Sequence, residues 1–317
     1  MSPCLENDQA CVYHCDLKRK EENFCQSPTC NIPALVGTSM SFLKPNGTRF
    51  HFYTETFLGT GTNSIVLLDG SHAIKIPKVR DLTSMPEEHR ENQEYVNDVN
   101  RGILESEKAV YLRVGRCDGI AECINISEDG IRLALYKRGD LEAYIESEVA
   151  VDRSRKAGWI LSIIKTILHF HSSKVLVDDM ALRNILVADD LSLKMIDFGQ
   201  CPLLPLDADL NAASDNGLTA QADIFHLGCV IYSIVAWQRY ECNLFMRGWV
   251  RPLLRDLPNV DRLFCEDVIR KCWSAEYSSM EQLYCDAHES LEHVMREVWC
   301  CGHDRYVQPP KGFRLEL

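Results

Sequence analysis

The sequence predicts an α+β protein of two lobes, a small β-rich lobe followed by a larger, mainly α-helical one. Three observations carry this prediction. Residues 49–58 and 63–76 alternate and are rich in β-branched and aromatic residues, the pattern of strands in a twisted antiparallel sheet. Further on, Trp159, Ile163 and Ile167 run beside Ile160, Ile164 and Leu168, two adjacent stripes that turn one helix face inward. Residues 223–237 are apolar nearly all round, which a soluble protein tolerates only in a fully buried helix. At 317 residues the chain suits two lobes with one continuous core each.

In chain order, residues 1–48 read as a flexible N-terminal extension. Cys4, Cys11, Cys15, Cys25 and Cys30, with His14, sit there in a charged stretch without amphipathic period. A zinc site would use Cys11, Cys15, Cys25 and Cys30, but structural zinc sites favour tighter pairs in knuckle turns. Residues 85–100 are polar and acidic, an extended loop or solvated helix, and 102–113 a separate helix. Residues 131–136 form a buried strand leading into 137–140, the connection between lobes. The N-lobe spans about 49–136, the C-lobe about 140–296, and 297–317 is a tail.

Composition excludes several classes. A net charge of −12 argues against a nucleic-acid or anionic-membrane surface, each of which needs a basic face. No run approaches the ~18 apolar residues of a membrane span, and the first residues lack an apolar signal core. The fifteen cysteines are odd in number, and several fall in expected buried helices, as reduced thiols do in an intracellular, cytoplasmic or nuclear protein.

The chemistry concentrates in residues 177–199. Asp179 and Asn184 are five apart, and Asp197-Phe198-Gly199 follows after a short apolar hairpin. Phosphoryl transfer asks for such parts in this order: one carboxylate to accept a hydroxyl proton, then an amide oxygen and a second carboxylate to hold Mg²⁺. Upstream, Gly59-Thr60-Gly61 lies in a strand–turn–strand context, Ala73-Ile74-Lys75 on a strand, and Glu107 in a helical stretch. Downstream come Asp223-Ile224-Phe225-His226-Leu227-Gly228 and Lys271-Cys272-Trp273.

This ordered set resembles a eukaryotic-type protein kinase domain, in particular the compact, divergent kinases found in fungi, from about residue 50 to about 295. The resemblance implies a protein kinase using ATP and Mg²⁺. Asp179, Lys75, Glu107 and Arg183 would be catalytic, with Asn184 and Asp197 on the metal. Gly59, Gly61, Ser64, Val66, Ala73, Lys75 and Leu186 would form the nucleotide site. Gly59 and Gly61 let backbone amides approach the phosphates. Val66 and Ala73 would cover the adenine from one side and Leu186 from the other. Lys75, on an apolar strand, needs anionic partners, which the phosphates and Glu107 supply.

The chain departs from the family pattern at four points. Val177 and Asp178 stand where the family has His and Arg, so a switch through that Arg is lost and activity is expected to be independent of phosphorylation in 200–218. Ala181 replaces the usual Lys, and Arg183, as in tyrosine-kinase loops, is the candidate to fill its role. The segment after Gly199 has no Ala-Pro-Glu, and no Arg follows Cys272-Trp273 where its partner is expected; loss of both leaves no unpaired buried charge. Three functions follow: a protein kinase, with Ser/Thr favoured over Tyr; a pseudokinase acting as a nucleotide-binding or scaffolding module; and, third, a small-molecule phosphotransferase. The protein substrate and oligomeric state are not readable.

Overall fold

The computed structural model describes residues 42–50, 57–83, 85–147, 149–212 and 217–301. Cysteines 4, 11, 15, 25 and 30, and with them the zinc alternative, lie outside the described residues. So does most of the expected tail.

A five-stranded antiparallel sheet opens the fold, in the order β3 (Phe57–Thr60), β4 (Ser64–Asp69), β5 (His72–Pro77), β8 (Gly130–Ala134) and β7 (Cys123–Ser127). Short strands β1 (Phe42–Leu43), β2 (Arg49–Phe50) and β6 (Val79–Arg80) form a second sheet with β1 in the middle. Among the described residues pairing starts at Phe42, inside the stretch 1–48 read as a flexible extension. Val66 and Lys75 are cross-strand partners, and Ala73 alternates with Lys75, so all three side chains share one face of the sheet.

Residues 85–100 and 102–113 are not separate elements. They form one helix, α1 (Glu87–Val114), of 28 residues. The polar N-terminal half looked solvated because its buried residues are amides. Asn97 exchanges two hydrogen bonds with the backbone of Arg80, at 2.9 Å each, and Asn100 donates to the Lys78 carbonyl at 2.8 Å. Edge-strand backbone groups are thus satisfied by side chains rather than by another strand. The C-terminal half buries Leu104, Glu107, Tyr111 and Val114, spaced as one helix face.

The second half is helical. It contains α2 (Leu141–Glu146), α3 (Arg153–Ser172), α4 (Ala220–Ala236), α5 (Glu266–Ser274) and α6 (Met280–Cys301), which runs past residue 296. Asp140, Asp152 and Thr219 cap α2, α3 and α4 by accepting from the amides of Ala143, Arg155 and Ala222. The two stripes of α3 bury Trp159, Ile160, Ile163, Ile164 and Ile167, and α4 is buried from Ala222 to Val235, as its composition requires. Between α3 and α4, β9 (Ile185–Val187) and β10 (Leu193–Met195) form the expected hairpin. One link was not foreseen. Arg251 donates to the carbonyls of Cys272 (3.3 Å) and Gln221 (2.5 Å) and lies over the Phe225 ring, joining α4 to α5, between which no ion pair forms among the described residues.

Candidate active site

Lys75 sits on β5 and is buried. Its Nζ lies 2.6 Å from Glu107 Oε2 on α1 and 2.7 Å from Asp197 Oδ1. Burial pulls the Lys75 pKa down, but the Glu107 and Asp197 carboxylates outweigh it and hold the ammonium above its ordinary value. Sheet, helix and the Asp-Phe-Gly turn therefore meet on one cation. The sheet geometry behind Lys75 depends on Gly130, at φ +150°: a Cβ there would lie 2.3 Å from the Lys75 carbonyl oxygen.

Asp197 adopts φ +68°, a left-handed conformation costing a non-glycine residue about 1–2 kcal/mol. It is held there from both sides. Phe198, 1% exposed, packs against Tyr111 (5.3 Å between ring centroids) and Phe170 (5.0 Å). At Gly199 a Cβ would come 2.6 Å from Ile103 Cγ2, so the helix carrying Glu107 can approach only a glycine.

The loop that carries Asp179 is anchored to α4. Asp223, fully buried, accepts from the Val177 amide at 2.9 Å and from His171 Nε2 at 2.7 Å. Asn184 Nδ2 donates to the Asp179 carbonyl (2.8 Å) and to its Oδ2 (3.0 Å), which leaves the amide oxygen as the coordinating end. The Ile196 amide donates to the Asn184 carbonyl at 2.9 Å, tying the Asn184 turn to the residue before Asp197. Arg183 Nη2 reaches Asp179 Oδ1 at 2.5 Å. Both carboxylate oxygens of Asp179 are thereby oriented.

Gly59 faces open space, a Cβ at Gly61 would make ordinary contact with Ser64 Oγ at 3.6 Å, and the Gly61 amide donates to the Ser64 carbonyl at 2.9 Å, closing the turn between β3 and β4. Leu186 pairs with Asp140, which places it against the segment joining the lobes. Beside Asp179 a small cleft, open to solvent, is lined by Asp178, Met180, His226 and residues 239–243. Glu241 and Arg239 in that cleft carry no motif signal; only the fold brings them to Asp179.

Asp178 is partly buried with no cation on it among the described residues. Desolvation first, then the Asp179 and Asp223 charges, raise its pKa to about 6. The folded state therefore binds a proton more tightly than the unfolded chain, so stability is lost as pH rises from about 4 through about 6. Asp178→Asn should add about 1–2 kcal/mol at pH 7.5, after discounting for water access, and almost nothing at pH 4. Urea unfolding at the two pH values checks this. An equal gain at both would contradict it.

Among the described residues no group of three or more His, Cys, Asp or Glu gathers as a metal site, and no helix is long and apolar enough to cross a membrane. The pair Asn184 and Asp197 nevertheless fits Mg²⁺, which is commonly held by one or two carboxylates and completed by substrate phosphates and water.

Comparison with known proteins agrees with this geometry. A family model described as the protein kinase domain matches residues 58–243, more than half of the chain. The chain is 26% identical over 207 residues to the serine/threonine-protein kinase cds1 of Schizosaccharomyces pombe, covering 57% of this chain and 44% of that protein. It is also 26% identical over 217 residues to mitogen-activated protein kinase kinase kinase 20 of Arabidopsis thaliana, covering 55% of this chain and 63% of that protein. A tyrosine-protein kinase receptor, svh-2 of Caenorhabditis elegans, matches at 23% over 193 residues, covering 53% of this chain and 18% of the receptor. The chain spans less than two thirds of each of these relatives. With Lys75, Glu107, Asp179, Asn184 and Asp197 in their expected order on this fold, the chain belongs to the protein kinase family.

Proposed function

We propose that this chain is an ATP- and Mg²⁺-dependent protein kinase acting on a protein hydroxyl, serine or threonine in preference to tyrosine. The observation that carries the reading is Lys75, bound at once to Glu107 and Asp197. This is the alignment that positions a triphosphate beside a metal-binding carboxylate. One of these relatives is named a serine/threonine-protein kinase, which supports the choice of hydroxyl.

In this reading Asp179 orients the acceptor hydroxyl and takes its proton as the oxygen bonds to the γ-phosphorus. The bond from that phosphorus to its bridging oxygen breaks and ADP leaves. Asn184 and Asp197 would hold Mg²⁺, which would neutralise the triphosphate charge. Lys75 aligns the α/β-phosphates, and Arg183, beside Asp179, offsets charge on the transferring group. Val66, Ala73 and Leu186 enclose the base. The replacement of His and Arg by Val177 and Asp178 favours the second reading, a nucleotide-binding pseudokinase.

Mg·ATP binding is the first test. At millimolar Mg·ATP over a Kd of tens of micromolar, linkage gives roughly 2–3 kcal/mol of stabilisation, a rise of several degrees in Tm. Lys75→Met should lose most of that rise. No rise in the wild-type protein would count against a nucleotide site in this cleft.

A further inference from the structure

We propose that Glu241 is a positioning residue for phosphoryl transfer, holding the Arg183 guanidinium against Asp179. The inference rests on the reading above that this site transfers phosphate. Glu241 lies in the loop after α4, 58 residues from Arg183 in sequence, and lines the cleft beside Asp179. Its two carboxylate oxygens accept from Arg183 Nη1 at 3.2 and 3.3 Å, while Arg183 Nη2 is 2.5 Å from Asp179 Oδ1. The guanidinium is planar and rigid, so fixing Nη1 on Glu241 fixes the direction in which Nη2 points.

Glu241 is itself held. Arg239 Nη2 lies 3.8 Å from Glu241 Oε2, and Arg239 Nη1 lies 3.1 Å from Glu142 Oε1 on α2. Asp179, Arg183, Glu241, Arg239 and Glu142 thus alternate in sign from the catalytic loop to a capped helix. An isolated exposed pair contributes little because either partner rotates away, whereas a network restrains each member twice.

Without Glu241, the partly exposed Arg183 has two ways to relax. It can close both terminal nitrogens on Asp179, occupying lone pairs that the acceptor hydroxyl needs, since Asp179 Oδ2 already accepts from Asn184. Or it can turn to water and leave the transferring phosphate uncompensated. Both lower turnover without touching the nucleotide contacts on Lys75.

The test is steady-state kinetics of Glu241→Ala, Glu241→Gln, Arg183→Ala and the double variant Glu241→Ala/Arg183→Ala, with urea midpoints for each. Glu241→Ala is expected to lower kcat about fivefold to fiftyfold with KM for Mg·ATP within about twofold. Glu241→Gln, whose amide oxygen still accepts from Nη1, should recover most of the loss. The double variant should be no slower than Arg183→Ala alone, because Glu241 acts only through that side chain. Losses that multiply in the double variant, an unchanged kcat in Glu241→Ala, or a fall that tracks the urea midpoint would each overturn the inference. If the wild-type protein transfers phosphate and the losses multiply, this inference alone fails; if the wild-type protein transfers none, the kinase reading fails with it.

Discussion

Asp197→Ala is expected to reduce phosphate transfer by at least about a thousandfold. A metal ion that neutralises developing charge is worth several kcal/mol of barrier, and each 1.4 kcal/mol or so is a factor of ten. The loss should be chemical rather than structural. Lys75 keeps Glu107 at 2.6 Å when Asp197 is removed, so no buried cation is left alone. The Asp197 side chain is itself 47% exposed, and its left-handed backbone is fixed by the packing of Phe198 and Gly199 rather than by its own carboxylate. Transfer of labelled γ-phosphate to a generic acceptor, with Tm as a control for folding, measures this. Wild-type rates in Asp197→Ala would remove Asp197 from the mechanism.

Arg183→Ala should lower kcat by about tenfold to a thousandfold and leave ATP affinity nearly unchanged, since the loss falls on the transition state. Ala181 cannot supply a charge, and the only guanidinium the structure brings onto Asp179 among the described residues is Arg183. The alternative role, a surface cation paired with Glu241, predicts a small change in stability and no kinetic effect. Measuring kcat and KM for Mg·ATP separately distinguishes the two, and a rise in KM at constant kcat would place Arg183 in binding instead.

Much of this site is legible in the sequence because its parts are local or ordered. Asp179, Asn184 and Asp197 fall within one loop and one hairpin, so spacing nearly fixes their arrangement. The Lys75–Glu107 ion pair was readable for another reason: a lysine on an apolar strand must find an anion, and the helical stretch around residue 107 offers one. The parts that were not legible depend on tertiary contact without a residue pattern. The polar half of α1 reads as solvated because Gln93, Asn97 and Asn100 are hydrophilic, yet all three are buried, Asn97 and Asn100 on the backbone of Arg80 and Lys78 and Gln93 on the Arg80 guanidinium and Asn97. Glu241 and Arg239 look like ordinary surface charges, and only the path of the chain after α4 carries them to Asp179. Arg251 reaches Cys272 and Gln221 through backbone carbonyls, which leave no trace in a sequence.

The measurement that bears most directly on the central claim is γ-phosphate transfer from Mg·ATP by the wild-type protein beside Asp179→Asn. Asparagine keeps the size of the side chain but cannot take a proton, and its single amide oxygen can accept from only one of the two donors that face Asp179, Arg183 or Asn184. The account predicts clear transfer by the wild-type protein and a loss of about a hundredfold or more in Asp179→Asn, with Mg·ATP stabilisation retained by both. Equal background transfer from the two proteins would contradict it and leave a nucleotide-binding pseudokinase.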